Sequence, residues 1–138
     1  MSNMVVVAAI AIFGLQTATG RSSAIHRTVT VGEARSLVDK ALETTGATNL
    51  PGYGRELRRN ADVSGAFFFF EATWANPNPG SMVIGHYAVD RRTGDVWNAV
   101  ICEEVTSPSL KRLQRAIRKR LGFTDKDHHR LRRPGPMC

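Results

Sequence analysis

Residues 66–74 read AFFFFEATW, and this segment decides the fold. Aromatic residues favour an extended strand, in which successive side chains point to opposite sides. One side carries five residues: Ala66, Phe68, Phe70, Ala72 and Trp74. The other side carries Phe67, Phe69, Glu71 and Thr73. We expect the first, wholly apolar side to face the core and to pack on a helix.

Two further strands are predicted downstream of this segment, over residues 82–89 and 95–102. Between them, residues 90–94 read DRRTG, which is typical of a tight hairpin turn in which Gly94 adopts a positive φ. Residues 76–80 read NPNPG and break the chain before the second strand. The sequence therefore predicts a three-stranded antiparallel sheet.

A helix over residues 31–44 is predicted upstream of the strands. Thr30 and Glu33 have the spacing of a capping box, in which each side chain satisfies a backbone N–H of the other residue. Apolar residues then recur with helical spacing: Ala34, Leu37, Val38, Ala41 and Leu42. The connection 46–65 is rich in Gly, Pro and Asn, and we expect a short helical turn at 56–59 within it.

A second helix is predicted to begin at Ser107 and Pro108, since Ser is a good N-cap and Pro suits the first helical position. Its apolar stripe consists of Leu110, Leu113, Ile117 and Leu121. We predict an α+β fold in which a helix packs on a three-stranded antiparallel sheet, followed by this basic C-terminal helix. The domain should span residues 28–123, and residues 124–138 should form a basic flexible tail.

Positive charge is concentrated in the C-terminal part of the chain. Residues 108–138 contain ten Lys/Arg and two Asp, so their net charge is 10 − 2 = +8, whereas the remainder carries 9 − 10 = −1. Such a localised field favours anionic partners. The candidate anion-binding residues are Arg112, Arg115, Arg118 and Lys119. The alternative is an ordinary solvated helix face.

The N-terminal segment resembles a secretory signal. Residues 4–15 form an apolar run of twelve residues without a charge, which fits a signal peptide and is too short to span a bilayer. Small residues follow, so we predict a signal peptide over residues 1–24, with cleavage near Gly20 or Ala24. The mature chain, without a transmembrane span, would be periplasmic or secreted. The alternatives are a buried core element and an uncleaved membrane anchor.

The chain contains two cysteines, Cys102 and Cys138. In an oxidising compartment they are candidates for a disulfide bond that closes a long loop. Two alternatives stay open at this point. In the first, Cys102 is a small buried residue and Cys138 is an exposed free thiol. In the second, Cys138 bridges two copies of the chain.

Two segments carry a resemblance to a known family. The helix opened by Val31-Gly32-Glu33-Ala34 and the hairpin over residues 87–97, which reads YAVDRRTGDVW, resemble PepSY-like domains over roughly residues 30–101. The resemblance implies a helix on a small antiparallel sheet and a role in binding or inhibiting a peptidase or another envelope partner. The long loop after the first helix and the basic helix after the sheet depart from the pattern. The C-terminal half also looks like small uncharacterised exported bacterial proteins.

No catalytic or cofactor-binding motif stands out, so the sequence argues against an enzyme. His128 and His129 lie near Asp125 and Asp127, but adjacent histidines in a fraying tail rarely form a dedicated metal site. Two functions are left. The first is a non-enzymatic binding or inhibitory module for an envelope protein partner. The alternative is an electrostatic binder of anionic polymer or lipid head groups through the basic helix.

Overall fold

The N-terminal helix of the domain begins at the predicted capping box. The computed structural model describes residues 28–59 and 65–136, and its first helix, α1, spans Val31–Glu43. The Glu33 N–H donates to the Thr30 Oγ1 at 3.2 Å, and the Thr30 N–H donates to the Glu33 carboxylate at 2.8 Å. This capping box confirms the predicted start of the helix. A short 3-10 helix, Ala47–Asn49, follows.

The sheet has five strands, and each pairs antiparallel with the next one along the chain. The strands are β1 (Gly54–Leu57), β2 (Phe67–Thr73), β3 (Val83–Asp90), β4 (Val96–Asn98) and β5 (Glu103–Glu104). The α+β class is confirmed, but the predicted number of three strands is wrong. The third predicted strand, 95–102, divides into β4 and a turn before β5.

The front face of the sheet packs on α1, as the alternation predicts for Phe68, Phe70 and Ala72. Phe70 and Ala72 lie in one buried cluster with Leu37 of α1 and Val89 of β3, and Phe68 packs against this cluster. Ala66 precedes β2 and packs instead with Phe67, Ala88 and Trp97 on the back face. The sheet is therefore apolar on both sides.

The second helix, α2, spans Pro108–Arg120, with Ser107 as its N-cap. The Leu110 N–H donates to the Ser107 Oγ at 3.1 Å, and Leu110, Ile117 and Leu121 are buried in the front cluster. The predicted cap and apolar stripe are thus present. None of the helices in the described part of the chain has the length and apolarity needed to cross a bilayer.

The segment over residues 124–136, here called the C-terminal strap, differs from the predicted flexible tail. It contains a third helix, α3 (Asp125–Leu131), which begins at a capping box formed by Thr124 and Asp127. Beyond the helix, Gly135 lies against the ring of Trp97, and Pro136 is buried. The strap therefore packs along the back face of the sheet as part of the fold.

The hairpin between β3 and β4 joins all three helices to the sheet. The Asp90 Oδ1 accepts from the backbone N–H of Arg92 at 2.7 Å and of Thr93 at 3.3 Å, which fixes the turn. Gly94 has φ +74°, and a Cβ there would lie 3.3 Å from the Leu37 side chain of α1. The turn motif thus has a structural role in this protein.

Replacing Thr30 with alanine should lower the free energy of unfolding by about 1 kcal/mol, because the Glu33 N–H loses its side-chain acceptor. Urea denaturation followed by circular dichroism measures the change. Ser36→Ala is the matched control on the exposed side of the same helix and should change the free energy by less than about 0.5 kcal/mol. Equal effects of the two substitutions would contradict the assigned cap.

Candidate protein-interaction surface

One side of α2 is held to the rest of the domain by polar contacts as well as by its apolar stripe. The Gln114 amide donates to the carbonyl oxygen of Gly94 at 3.0 Å. At the C-terminal end of the helix, the Arg120 guanidinium donates to both carboxylate oxygens of Glu33 at 2.7 Å. These contacts fix the orientation of the helix and thereby decide which side chains face the solvent.

A buried carboxylate, Asp95, anchors the middle of α2. Its oxygens accept from the Thr93 Oγ1 at 2.9 Å and lie 2.9–3.0 Å from the His128 Nε2 of α3. The Arg118 Nη1 lies 3.5 Å from the Asp95 Oδ1 and donates to the Thr93 carbonyl oxygen at 3.2 Å. The carboxylate of Asp95, in the turn between β3 and β4, thus joins α2 to the C-terminal strap.

The opposite side of α2 is an exposed basic face, defined by Lys111, Arg112, Arg115 and Lys119. At about 100° per residue these four positions fall within an arc of about 100°. Their side chains form neither a hydrogen bond nor an ion pair with any residue that the structure describes. Four cations on one helix therefore project into solvent, and none of the described carboxylates neutralises them.

Arg118, one of the four predicted anion-binding residues, does not belong to this basic face. Only 8% of the residue is exposed, and its guanidinium is directed towards Asp95. Arg118 follows Gln114 by one helical turn at the edge of the apolar stripe, and both side chains are turned inwards. Lys111, outside the predicted set, takes the place of Arg118 on the exposed side.

A shallow depression of about 410 Å³ adjoins the basic face at the N-terminal end of α2. Its lining includes Thr106, Ser107 and Pro108 together with three cations of the face, Lys111, Arg112 and Arg115. A depression of this kind can receive a protruding side chain from a partner. The cations at its rim favour a carboxylate there.

The ion pair between Arg120 and Glu33 makes stability depend on pH. Partial burial pushes the pKa of the Glu33 carboxyl upwards, but the Thr30 N–H and the Arg120 guanidinium outweigh it and hold that pKa below its usual value. A lowered folded-state pKa stabilises the protein above the unfolded-state pKa, and this contribution is lost as the pH falls.

Glu33→Gln should therefore lower the free energy of unfolding at neutral pH, and the difference from the wild type should shrink as the pH falls below about 4.5. Gln retains the capping geometry, so the comparison isolates the charge. Urea denaturation across a series of pH values measures this difference. A difference that stays constant over the whole series would be inconsistent with the ion pair.

The structure describes only one of the two cysteines of the candidate disulfide. Cys102 lies in the turn between β4 and β5, with φ +57°, and the described residues include no free cysteine. Cys138, like the signal segment 1–24, lies outside the described residues. The pairing of Cys102 with Cys138 therefore stays a prediction.

The clusters of titratable side chains do not resemble a metal centre. Within residues 28–59 and 65–136, no three His, Cys, Asp or Glu side chains come together as ligands for a metal ion would. His128 is directed to Asp95, whereas His129 is exposed on α3. These side chains therefore belong to a helix, α3, that is anchored on its inner side and charged on its outer side.

Comparison with known proteins identifies the fold. No protein family and no curated protein matches the sequence. Among solved structures, a chain from the structure of a type VI secretion system effector-immunity complex from Pseudomonas protegens is similar, with a TM-score of 0.59 and 23% sequence identity. The similarity covers 72% of this chain and 83% of that chain. This chain therefore shares its fold with a protein that has been seen in a protein–protein complex.

Proposed function

We propose that the protein is a non-catalytic binding module whose basic face on α2 docks onto an acidic surface of a protein partner. The observation that carries the proposal is the set of four unneutralised cations on a helix that is fixed from its other side. Complementary charge accelerates association and excludes partners of the wrong sign. Because the helix is held in place beforehand, little ordering accompanies binding.

The structural neighbour supports a protein partner. That neighbour is a chain of an effector-immunity complex, and at 23% identity it shares the fold with this chain. The PepSY-like resemblance implies the same general role, binding or inhibition of a protein. We place the action of this protein in the periplasm or outside the cell, on the grounds of the signal-like residues 1–24.

The alternative function is electrostatic binding of anionic polymer or lipid through the same face, because these cations would also neutralise phosphates. The arc of four cations contains no aromatic side chain for base stacking. It also contains no large apolar residue that would insert between lipids. These absences on α2 favour the acidic protein surface.

Selective capture tests the proposal. The mature protein is immobilised and incubated with an envelope extract, while anionic phosphatidylglycerol vesicles and duplex DNA are offered in parallel. The bait is compared with Arg112→Gln/Arg115→Gln and with Arg35→Gln/Lys126→Gln, which removes the same charge from exposed positions elsewhere. We expect one acidic protein on the wild type and on the second variant, but not on the first. Capture of vesicles or DNA in its place would favour the alternative.

A further inference from the structure

A cavity of about 450 Å³ lies at the end of the sheet where β1 ends and β2 begins. Its lining combines the first turns of α1, the end of β1, the start of β2 and the hairpin between β3 and β4. No lining residue that the structure describes belongs to α2 or to the C-terminal strap. Sites for small molecules commonly have volumes of roughly 300–1,000 Å³, so this cavity is large enough for a small ligand and is separate from the basic face.

One part of the lining of this cavity is apolar. It consists of Val31, Leu57, Phe67, Phe68 and Phe69. Phe68 and Phe69 are only partly buried, so some of their surface is left for a ligand. Aromatic side chains pack well against other rings, either stacked or edge to face. The apolar part of the lining therefore favours a flat hydrophobic group.

Arg91 also lines the cavity, and both its backbone and its side chain are held in place. Its N–H donates to the Ala66 carbonyl oxygen at 3.0 Å, and its carbonyl oxygen accepts from the Val29 N–H at 2.8 Å. Its guanidinium lies over the Phe68 ring, 4.7 Å from the ring centre, and donates to the Gly65 carbonyl oxygen at 3.0 Å. A guanidinium that is stacked on a ring in this way keeps N–H donors in its own plane for an anion.

Two further cations line the cavity without a described counter-ion. Arg35 of α1 and Arg59, which follows β1, are exposed, and neither forms a hydrogen bond or an ion pair with any residue that the structure describes. Arg58, beside them in the lining, pairs with Glu71. No described carboxylate lines the cavity itself. Because cations in a concave site concentrate anions there, the cavity favours a negatively charged ligand.

We propose that this cavity binds a small aromatic anion, a compound in which a planar ring bears a carboxylate. The ring packs against Phe68, and the carboxylate is held by the guanidinium groups of Arg35, Arg59 and Arg91. Hydrogen bonds between arginine and a carboxylate often form in pairs and are stronger than those between neutral groups. The ring alone or the charge alone would match only one part of the lining. Both should therefore be required for binding.

Titration of the full chain with cinnamate, followed through the amide NMR signals of the protein, tests the proposal without any protein partner. Two matched compounds are titrated in parallel: cinnamyl alcohol, which keeps the ring without the charge, and acetate, which keeps the charge without the ring. With cinnamate we expect saturable shifts that are centred on Leu57, Phe68 and Arg91. The two matched compounds should bind about tenfold more weakly or worse, since each lacks one of the two interactions.

Two variants locate the ligand within the cavity. Arg35→Gln/Arg59→Gln should weaken cinnamate binding about tenfold or more, because charge-assisted hydrogen bonds are lost. Phe68→Leu should also weaken it, because the aromatic surface is lost. Arg112→Gln/Arg115→Gln is the matched control, which removes the same charge from the basic face and should bind cinnamate as the wild type does.

Several results would overturn the proposal. Among these are shifts that do not saturate, shifts that are centred on α2, and equally tight binding of cinnamyl alcohol or of acetate. An unchanged affinity of Arg35→Gln/Arg59→Gln for cinnamate would overturn it too. None of these results bears on the docking of an acidic protein at the basic face, because that face shares no described residue with the cavity.

Discussion

Asp95→Ala should lower the free energy of unfolding by about 3–5 kcal/mol, the largest effect that we expect from a single substitution. Only 2% of Asp95 is exposed, and its carboxylate is shared by Thr93, Arg118 and His128. Its removal leaves the buried Arg118 guanidinium without a carboxylate partner. A buried charge without a counter-ion is far more costly than the loss of a surface contact.

Urea denaturation monitored by circular dichroism measures this effect, with Asp125→Ala as the exposed control on α3. The double variant Asp95→Ala/Arg118→Met should lose less stability than Asp95→Ala alone, because no charge is then left buried. If Asp95→Ala cost no more than Asp125→Ala, the carboxylate would not be the anchor that joins α2 and the strap.

Removal of all four cations from the basic face should weaken partner binding by about a hundredfold or more at low salt, mainly through slower association. The variant carries Gln at Lys111, Arg112, Arg115 and Lys119. Its residual affinity should also depend less on salt than that of the wild type, because fewer charges are screened. Surface plasmon resonance with the captured acidic protein, over a series of salt concentrations, measures both effects.

The melting temperature of this variant should stay close to that of the wild type, since these side chains form no hydrogen bond or ion pair with the described residues. Arg35→Gln/Lys126→Gln controls for long-range charge and should alter binding only slightly. An unchanged affinity of the four-cation variant would remove the basic face from the binding site. A large loss in the control variant would indicate a diffuse charge effect instead of a defined surface.

Local signals predicted α1 and α2 well. Thr30 and Glu33 mark the start of α1, and Ser107 with Pro108 marks the start of α2, because caps depend on residues that are close in sequence. The alternation in β2 likewise identified the residues that face α1. These features need no information from distant parts of the chain.

The missed strand β1 depends on distant residues. Its sequence, GREL at 54–57, has weak strand propensity, and its last two residues belong to the predicted helical turn at 56–59, which is wrong. In the structure, Glu56 lies opposite Glu71 and Leu57 opposite Phe70. Pairing with the strongly β-forming β2 decides the conformation, and a local pattern cannot reveal that pairing.

The C-terminal strap was predictable in part. Thr124 and Asp127 have the spacing of a capping box, although Asp replaces the usual Glu or Gln. A basic, Pro-containing chain end is also typical of a frayed tail, so this local signal alone did not decide between the two structures. The contact of His128 with Asp95 is a tertiary one, 33 residues apart in sequence, and it has no local signature.

The burial of Arg118 could not be read from residue type, because Lys and Arg side chains are mostly exposed unless they are paired. Arg118 is one turn from Gln114, at the border between the apolar stripe and the basic face. Only the nearby carboxylate of Asp95 explains why it turns inwards. Which cations of α2 are exposed, with Lys111 in place of Arg118, is therefore known only from the folded structure.

Photo-crosslinking from the edge of the basic face tests the proposed function most directly. A photoreactive amino acid replaces Ala116, which is exposed on α2, and in a matched protein it replaces Asn78 in an exposed loop. After irradiation in an envelope extract, position 116 should become covalently joined to one acidic protein, and position 78 should not. A protein joined at position 78 but not at position 116, or none at either position, would contradict docking through α2.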